Sequence, residues 1–427
     1  MAAPALAPIG QELHIENDVQ LQLVLSIFLL TYAIGPFVLS PCSEVWGRSW
    51  IVRIGNLIFI LFTALCGFAT SKEQIIAFRF FAGIGGSVTI GMGSGVLADC
   101  WKPEERGKGI AFMQFAPILG LALGPIAGGY ISQYTSWRWA FRSVAILNVC
   151  VQLVAFLFLR ETYGPRLLLL KARKIRKETG NPDFQTKWEK EQRSLSKILR
   201  ISLVRPWAML ATQPIIQSLA ALQAFNFGML YLIISSFPQL WEEHYSFEKG
   251  LASLNYISIA TGSLIGVLIC APAMDAVYQR LKHRYGIEEG QSGLPEFRIP
   301  LMIPFSLLSP FGILLFAWSA QMKMHFLIPN IGIAITIGSS MVSYQCVSAY
   351  IADSYPLHSA SASAACSFVR SMCAFAFPLF VPALFGNLGY GIGGSVLAVI
   401  AVVVGIPAPI LLWLYGAKLR AMSRFGS

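Results

Sequence analysis

The chain has 427 residues, of which 55% are hydrophobic and only 12% are charged, and its formal net charge is +11. The apolar residues fall into long stretches without Asp or Glu, whereas a soluble protein of this length carries charges at helical spacing. This pattern excludes a soluble globular enzyme. It predicts an all-α polytopic membrane protein, since roughly 20 apolar residues cross the hydrocarbon core of a bilayer.

About eleven transmembrane helices are predicted along the chain. Basic residues gather in alternate segments between them, and the positive-inside rule assigns these segments and the C-terminus to the cytosol. The positive charge therefore indicates membrane orientation, and we expect no nucleic-acid partner. The predicted spans lie near residues 20–41, 51–70, 74–98, 109–132, 140–159, 207–236, 251–274, 299–320, 325–351, 360–385 and 391–416.

The first predicted span follows an acidic segment that contains Glu12, Glu16 and Asp18 but no Lys or Arg. The alternation of basic segments places this N-terminus outside, which is unusual for a multispan protein. We expect residues 3–9 to be the outer end of a further helix, most of which this chain lacks. The alternative is a genuine eleven-span protein.

A basic segment divides the predicted spans into five before it and six after it. We predict an N-terminal bundle over residues 1–160, a cytosolic linker over residues 161–205 and a C-terminal bundle over residues 206–427. Two bundles joined by a basic loop are typical of transporters built from two repeated halves.

The segment 35–48 has the sequence Gly-Pro-Phe-Val-Leu-Ser-Pro-Cys-Ser-Glu-Val-Trp-Gly-Arg. Glu44 ends a helix, Gly47 permits a tight turn, and Arg48 can pair with another helix end. The segment resembles the signature between the second and third helices of the major facilitator superfamily, in its fungal drug:proton antiporter form. The resemblance implies the fold of that family, with two pseudo-repeated helix bundles.

The resemblance also implies a latch on the cytosolic side that holds the two halves together. Ser49 stands where the family has a second basic residue, so this chain departs from the family pattern at one contact of the latch. The alternative is a plain positively charged loop. The residues assigned to the latch are Glu44, Gly47, Arg48, Asp99 and Arg106.

Arg79 lies within the third predicted span, where a charge costs about 2.5–3.5 kcal/mol unless it has a partner or a water-filled path. The segment around it resembles the fourth-helix motif of the family, whose arginine is implicated in proton coupling. Arg79 is therefore the proton-coupling candidate. The alternative is a structural arginine whose N–H groups are satisfied by backbone carbonyls.

Small residues recur at helical spacing in the segment 120–129, and such spacing lets a neighbouring helix approach closely. The segment resembles the fifth-helix signature that marks exporters within this superfamily, and it follows a matching cytosolic loop. The residues of this antiporter motif are Gly120, Gly124, Pro125, Gly128 and Gly129.

The second half carries uncharged polar groups among aromatic residues at mid-span depth, a mixture that suits an amphipathic organic ligand. For each uncharged residue a hydrogen bond between helices is the alternative, and Arg370 contacts either substrate or a neighbouring helix. The candidates for a substrate cavity are Gln213, Gln217, Asn226, Asn255, Tyr256, Tyr344, Gln345 and Arg370.

The resemblance implies an efflux transporter that exports small hydrophobic organic compounds, such as drugs, xenobiotics or fungal secondary metabolites, by proton antiport. The alternatives are a nutrient importer or facilitator of the same fold, or a truncated membrane protein that transports nothing. No span carries paired carboxylates, a histidine cluster or a phosphate loop, so we expect no enzyme activity, metal or cofactor. We expect a monomer in the plasma membrane of a fungus, with protons and lipid as its other partners.

Overall fold

The computed structural model of the chain describes residues 2–89, 96, 106–181, 185–186, 195–287, 293–355 and 359–421. All regular secondary structure in these ranges is helical. The α-helices are α1 (Leu6–Glu12), α2 (Asp18–Trp46), α3 (Arg48–Cys66), α4 (Lys72–Gly86), α5 (Arg106–Tyr134), α6 (Trp137–Phe158), α7 (Gly164–Thr179), α8 (Leu195–Thr212), α9 (Pro214–Phe237), α10 (Lys249–Leu254), α11 (Ile257–Arg284), α12 (Met302–Gln321), α13 (Leu327–Ser354), α14 (Ser359–Leu379), α15 (Asn387–Gly405) and α16 (Pro407–Ala421).

Eight segments of the described residues are long and apolar enough to cross a membrane. The last of them, Ser361–Arg420, covers two predicted spans. The predicted spans 74–98 and 109–132 extend into residues or side chains that lie outside the described part. Large apolar side chains on the outer faces, such as Leu157 and Phe158, are 74% and 76% exposed. Burial of such a side chain contributes about 1.5–3 kcal/mol, so this belt fits a lipid environment.

The described chain forms two compact units, of which the smaller comprises residues 27–117 and 141–205. In this unit the glycines of α4 contact the backbones of its neighbours. An added Cβ at Gly85 would lie 2.5 Å from the carbonyl oxygen of Gly55, and one at Gly83 would collide with Thr31. The Thr31 hydroxyl donates to the carbonyl of Phe80 at 2.8 Å. The helices therefore approach each other closely at both glycines.

The larger unit comprises residues 1–26, 118–140 and 206–427. Glycines again bring helices together, because an added Cβ at Gly266 of α11 would lie 2.5 Å from the carbonyl oxygen of Gly338 in α13. Near the start of the chain, the carboxylate of Glu12 pairs with Arg138 and accepts a hydrogen bond from the indole of Trp137. The division of the chain into bundles at residues 160 and 206 stays a prediction.

Candidate functional site

Gly47 forms the turn between α2 and α3 with a backbone φ of 98°, a left-handed value that favours glycine. A Cβ at this position would collide with the carboxylate of Glu161, which follows α6. The turn therefore requires glycine twice, once for its backbone conformation and once for the space that the carboxylate occupies.

The Glu161 carboxylate accepts hydrogen bonds from the N-terminus of α3. The backbone N–H groups of Arg48 and Ser49 donate to it at 3.0 and 3.3 Å, and the Ser49 hydroxyl donates at 3.1 Å. The N–H of Tyr163 donates at 3.0 Å. Helix N-termini leave N–H groups unpaired and favour negative charge, so this carboxylate acts as a cap from a distant segment.

The surroundings of Glu161 act on its pKa in opposite directions. Burial raises the pKa of this carboxyl, but hydrogen bonds from the N–H groups of Tyr163 and Arg48 and from Ser49 outweigh burial, and the pKa is lowered overall. The group is therefore held in its ionised form, which is the form that caps α3.

The predicted latch is only partly described by the structure. The Arg48 guanidinium lies 5.3 Å from the centre of the Tyr163 ring. The side chains of Glu44 and Arg106, and all of Asp99, lie outside the described residues. Ser49, which replaces the usual basic residue, contacts Glu161 instead. Glu161 is not among the site residues predicted from the sequence.

Arg79 is half-buried in α4 and lies against two aromatic rings. Its Cζ atom is 5.0 Å from the ring centre of Phe28 and 5.7 Å from that of Phe141. Such cation–π contacts contribute about 0.5–2 kcal/mol. The rings thus supply part of the stabilisation that a charge in this span needs, and the role of Arg79 in proton coupling stays a prediction.

The antiporter motif of α5 packs against α10 within the larger unit. A Cβ on Gly129 would collide with the Ser253 hydroxyl and lie 3.0 Å from the carbonyl oxygen of Lys249. The Ser253 hydroxyl donates to the carbonyl of Gly250 at 2.7 Å. Gly128 and Pro125 are also buried, whereas a Cβ on Gly120 would meet open space. The C-terminal half of the motif is therefore the part in close contact.

A narrow recess lies between α9 and α13. Asn226 and Tyr344 are the predicted cavity residues that line it. Gln223 and Phe227 also line it and were missed, because α9 is largely apolar and its sequence pattern does not distinguish an inner face. The full lining is Gln223, Asn226, Phe227, Leu230, Ile337, Ser340, Met341 and Tyr344.

Other predicted cavity residues make hydrogen bonds inside the protein. The Tyr256 hydroxyl donates to the carbonyl of Ile234 at 2.9 Å, and the side-chain amide of Asn255 donates to the carbonyl of Ala252 at 3.1 Å. The amide of Asn330 donates to the Asn255 side-chain oxygen at 2.5 Å. The contacts of Tyr256 and Asn330 join the segment after α10 to α9 and α13.

The remaining predicted cavity residues are three glutamines and one arginine, and their surroundings differ. Gln213 is buried and donates to the Thr212 hydroxyl at 3.0 Å, and Gln217 donates to the carbonyl of Leu210 at 2.9 Å. The Gln345 Nε2 atom is buried without a hydrogen-bond partner among the described residues. Arg370 lies beside the rings of Phe227 and Tyr344, which line the recess.

A network of ion pairs joins helix ends of the larger unit. Arg298 donates to Asp353 at 3.0 Å and to Asp275 at 3.3 Å. Arg420 donates to both carboxylate oxygens of Glu296, at 2.9 and 2.7 Å. Neither the two aspartates nor Arg298, which comes from a separate segment, is among the site residues predicted from the sequence.

The apolar belt, the glycine-packed helices and an internal recess lined by uncharged polar groups define a polytopic membrane transporter. The sequence matches the family model of the Major Facilitator Superfamily over residues 1–378. The chain belongs to this family, which confirms the predicted all-α fold and the resemblance found in the sequence.

Individual relatives match over almost the entire chain. The efflux pump vrtL of Penicillium aethiopicum is 41% identical over 427 residues, which cover 100% of this chain and 84% of the relative. The probable efflux pump mfs2 of Aspergillus flavus is 39% identical, with 98% of both chains covered. Among solved structures, the xylose transporter XylE of E. coli in a partially occluded inward-open conformation has a TM-score of 0.66. It is 16% identical and the match covers 97% of this chain and 92% of XylE, a likeness of fold alone.

Proposed function

We propose that this chain exports small hydrophobic organic compounds in exchange for protons. The observation that carries the proposal is the recess between α9 and α13, where aromatic and aliphatic side chains surround amides and hydroxyls. Such a lining suits an amphipathic organic molecule. Two relatives that match nearly the whole chain are named efflux pumps, which supports export rather than import.

Transport in this proposal uses two bundles, residues 1–160 and residues 206–427, which rock to expose the cavity to each side in turn. The linker 161–205 joins them in the cytosol. The protein works as a monomer in the plasma membrane, with its C-terminus in the cytosol.

Four groups of residues have distinct parts in the proposed cycle. Arg79 couples the movement of protons to the change of conformation, and the glycines of α5 permit the close packing of the closed state. Asn226 and Tyr344, which line the recess, and Arg370, which lies beside it, orient the substrate. The cytosolic latch consists of Glu44, Gly47, Arg48, Asp99 and Arg106.

The test is the accumulation of a panel of lipophilic fluorescent dyes in yeast cells that lack their own drug exporters. An exporter lowers the steady-state dye content relative to an empty vector, and a protonophore restores it. A higher dye content would indicate an importer. An unchanged content for every dye, with the protein present at the cell surface, would show that the chain does not transport them.

A further inference from the structure

Arg370 is a buried charge near the middle of α14. Its relative exposure is 5%, and it lies within the apolar segment Ser361–Arg420. Arginine stays protonated in proteins and carries five N–H donors. A charge at such a depth costs about 2.5–3.5 kcal/mol on insertion scales, so a stable arginine there requires compensation.

The protein supplies only part of that compensation. The Arg370 Cζ atom lies 4.4 Å from the ring centre of Phe227 and 5.3 Å from that of Tyr344. These contacts use the faces of the rings, and they leave the N–H donors available. Within the described ranges, Arg370 Nε has no hydrogen-bond partner, and the guanidinium pairs with no carboxylate.

The same two rings line the recess between α9 and α13, so the guanidinium lies directly beside that recess. All eight lining residues are uncharged, and Asn226 and Ser340 add neutral hydrogen-bonding groups. The recess thus combines flat aromatic walls with an adjacent positive charge and contains no negative charge of its own.

We propose that the recess binds an organic anion, with an aromatic or polycyclic body and one carboxylate or equivalent anionic oxygen. The anionic oxygens accept hydrogen bonds from Arg370, and the ring system packs against Phe227 and Tyr344. Arginine and a carboxylate form parallel, charge-assisted hydrogen bonds, which are stronger than neutral ones. This inference rests on the proposed function and narrows its substrate class to hydrophobic organic acids.

The test measures binding of matched fluorescent acids and alcohols to the purified full-length protein. The pairs are 1-naphthoate with 1-naphthalenemethanol, 9-anthracenecarboxylate with 9-anthracenemethanol, and 1-pyrenebutyrate with 1-pyrenebutanol. Each pair differs mainly in charge. The variants are Arg370→Gln, which removes the charge, and Arg370→Lys, which retains it without the planar donor set. Arg284→Gln, at the exposed end of α11, is the matched control.

We expect the wild-type protein to bind the acid of at least one pair about tenfold more tightly than its alcohol, or about 1.4 kcal/mol. Arg370→Gln removes this preference, because the acid loses its charged partner and therefore loses more affinity than the alcohol. Arg370→Lys keeps an intermediate preference, and Arg284→Gln behaves as wild type.

Equal affinity of the wild-type protein for acid and alcohol in every pair would overturn the inference, and so would an equal loss of both in Arg370→Gln. If Arg370→Gln does not fold, the inference is decided by the acid-over-alcohol preference of the wild-type protein and of Arg370→Lys. Export of the alcohols by cells without any preference for the acids would refute the anion site and leave the proposed function standing. Failure to bind or export any probe would count against both.

Discussion

The carboxylate of Glu161 accepts hydrogen bonds from both the backbone N–H and the hydroxyl of Ser49, at 3.3 and 3.1 Å, across 112 positions of sequence. This contact joins the start of α3 to the segment that follows α6. Ser49 therefore has a structural task at the position where the family has a basic residue, and the turn at Gly47 brings it within reach.

Gly47→Ala is expected to destabilise the protein strongly. The alanine must adopt a φ of 98°, and strained backbone of this kind costs about 1–3 kcal/mol. Its Cβ must in addition displace the Glu161 carboxylate. Gly180→Ala is the matched control, because Gly180 has a φ of 69° but open space around it. Thermal unfolding of the purified variants should give a clearly lower midpoint for Gly47→Ala. Equal midpoints would contradict the assigned role of the Glu161 contact.

Glu161→Gln is expected to lower stability by about 1–3 kcal/mol near neutral pH, because it removes a charged acceptor of hydrogen bonds. Since the folded-state pKa of Glu161 is lowered, its stabilising effect is complete above the unfolded pKa and is lost as the pH falls through the folded pKa. The unfolding midpoint of the wild type should therefore drop toward that of Glu161→Gln on acidification.

The control for this pH series is Glu178→Gln, since Glu178 forms an exposed ion pair with Lys174. Exposed pairs contribute about 0–1 kcal/mol, so this change should leave the midpoint almost unaltered at every pH. A constant gap between the wild type and Glu161→Gln from neutral to acidic pH would show that the ionisation of Glu161 does not stabilise the fold.

Gly129→Ala is expected to reduce export much more than Gly120→Ala. The first substitution places a Cβ against Ser253 of α10, whereas the second projects into open space. The double variant Gly129→Ala with Ser253→Gly removes the obstructing side chain and should regain part of the lost activity, as expected for residues in direct contact. Export by the two single variants and the double variant is measured as dye efflux at matched surface expression. Equal losses at the two glycines would place the functional contact elsewhere.

Arg79→Leu is expected to abolish proton-coupled export without preventing membrane insertion, because it removes the charge assigned to coupling. Arg79→Lys retains a positive charge near Phe28 and Phe141 and should keep part of the activity. The measurement is dye efflux driven by an imposed pH difference, with surface expression determined in parallel. Undiminished pH-driven efflux by Arg79→Leu would remove Arg79 from the mechanism.

The helices could be predicted from the sequence because a bilayer selects apolar stretches of nearly fixed length. The close contact at Gly129 was also predictable, since small residues at helical spacing indicate close packing. The observed helix boundaries differ from the predicted ones by several residues. The span predicted over residues 207–236, for example, contains a break between α8 and α9 at Gln213.

Partners that are distant in sequence could not be predicted. Nothing local to Glu161 indicates that it caps α3, and nothing near Arg298 indicates that it pairs with Asp275 and Asp353. The lining of the recess was found only in part, because a helix that is largely apolar carries little periodic signal of its inner face. Phe227 was missed for that reason.

The most direct test of coupled export is transport by the purified protein in liposomes with the cytosolic side of the protein facing outward. A proton gradient, acidic inside, should drive uptake of a lipophilic dye against its concentration gradient, and a protonophore should stop it. Dye movement that is the same with and without the gradient, or the same as in protein-free liposomes, would contradict proton-coupled export.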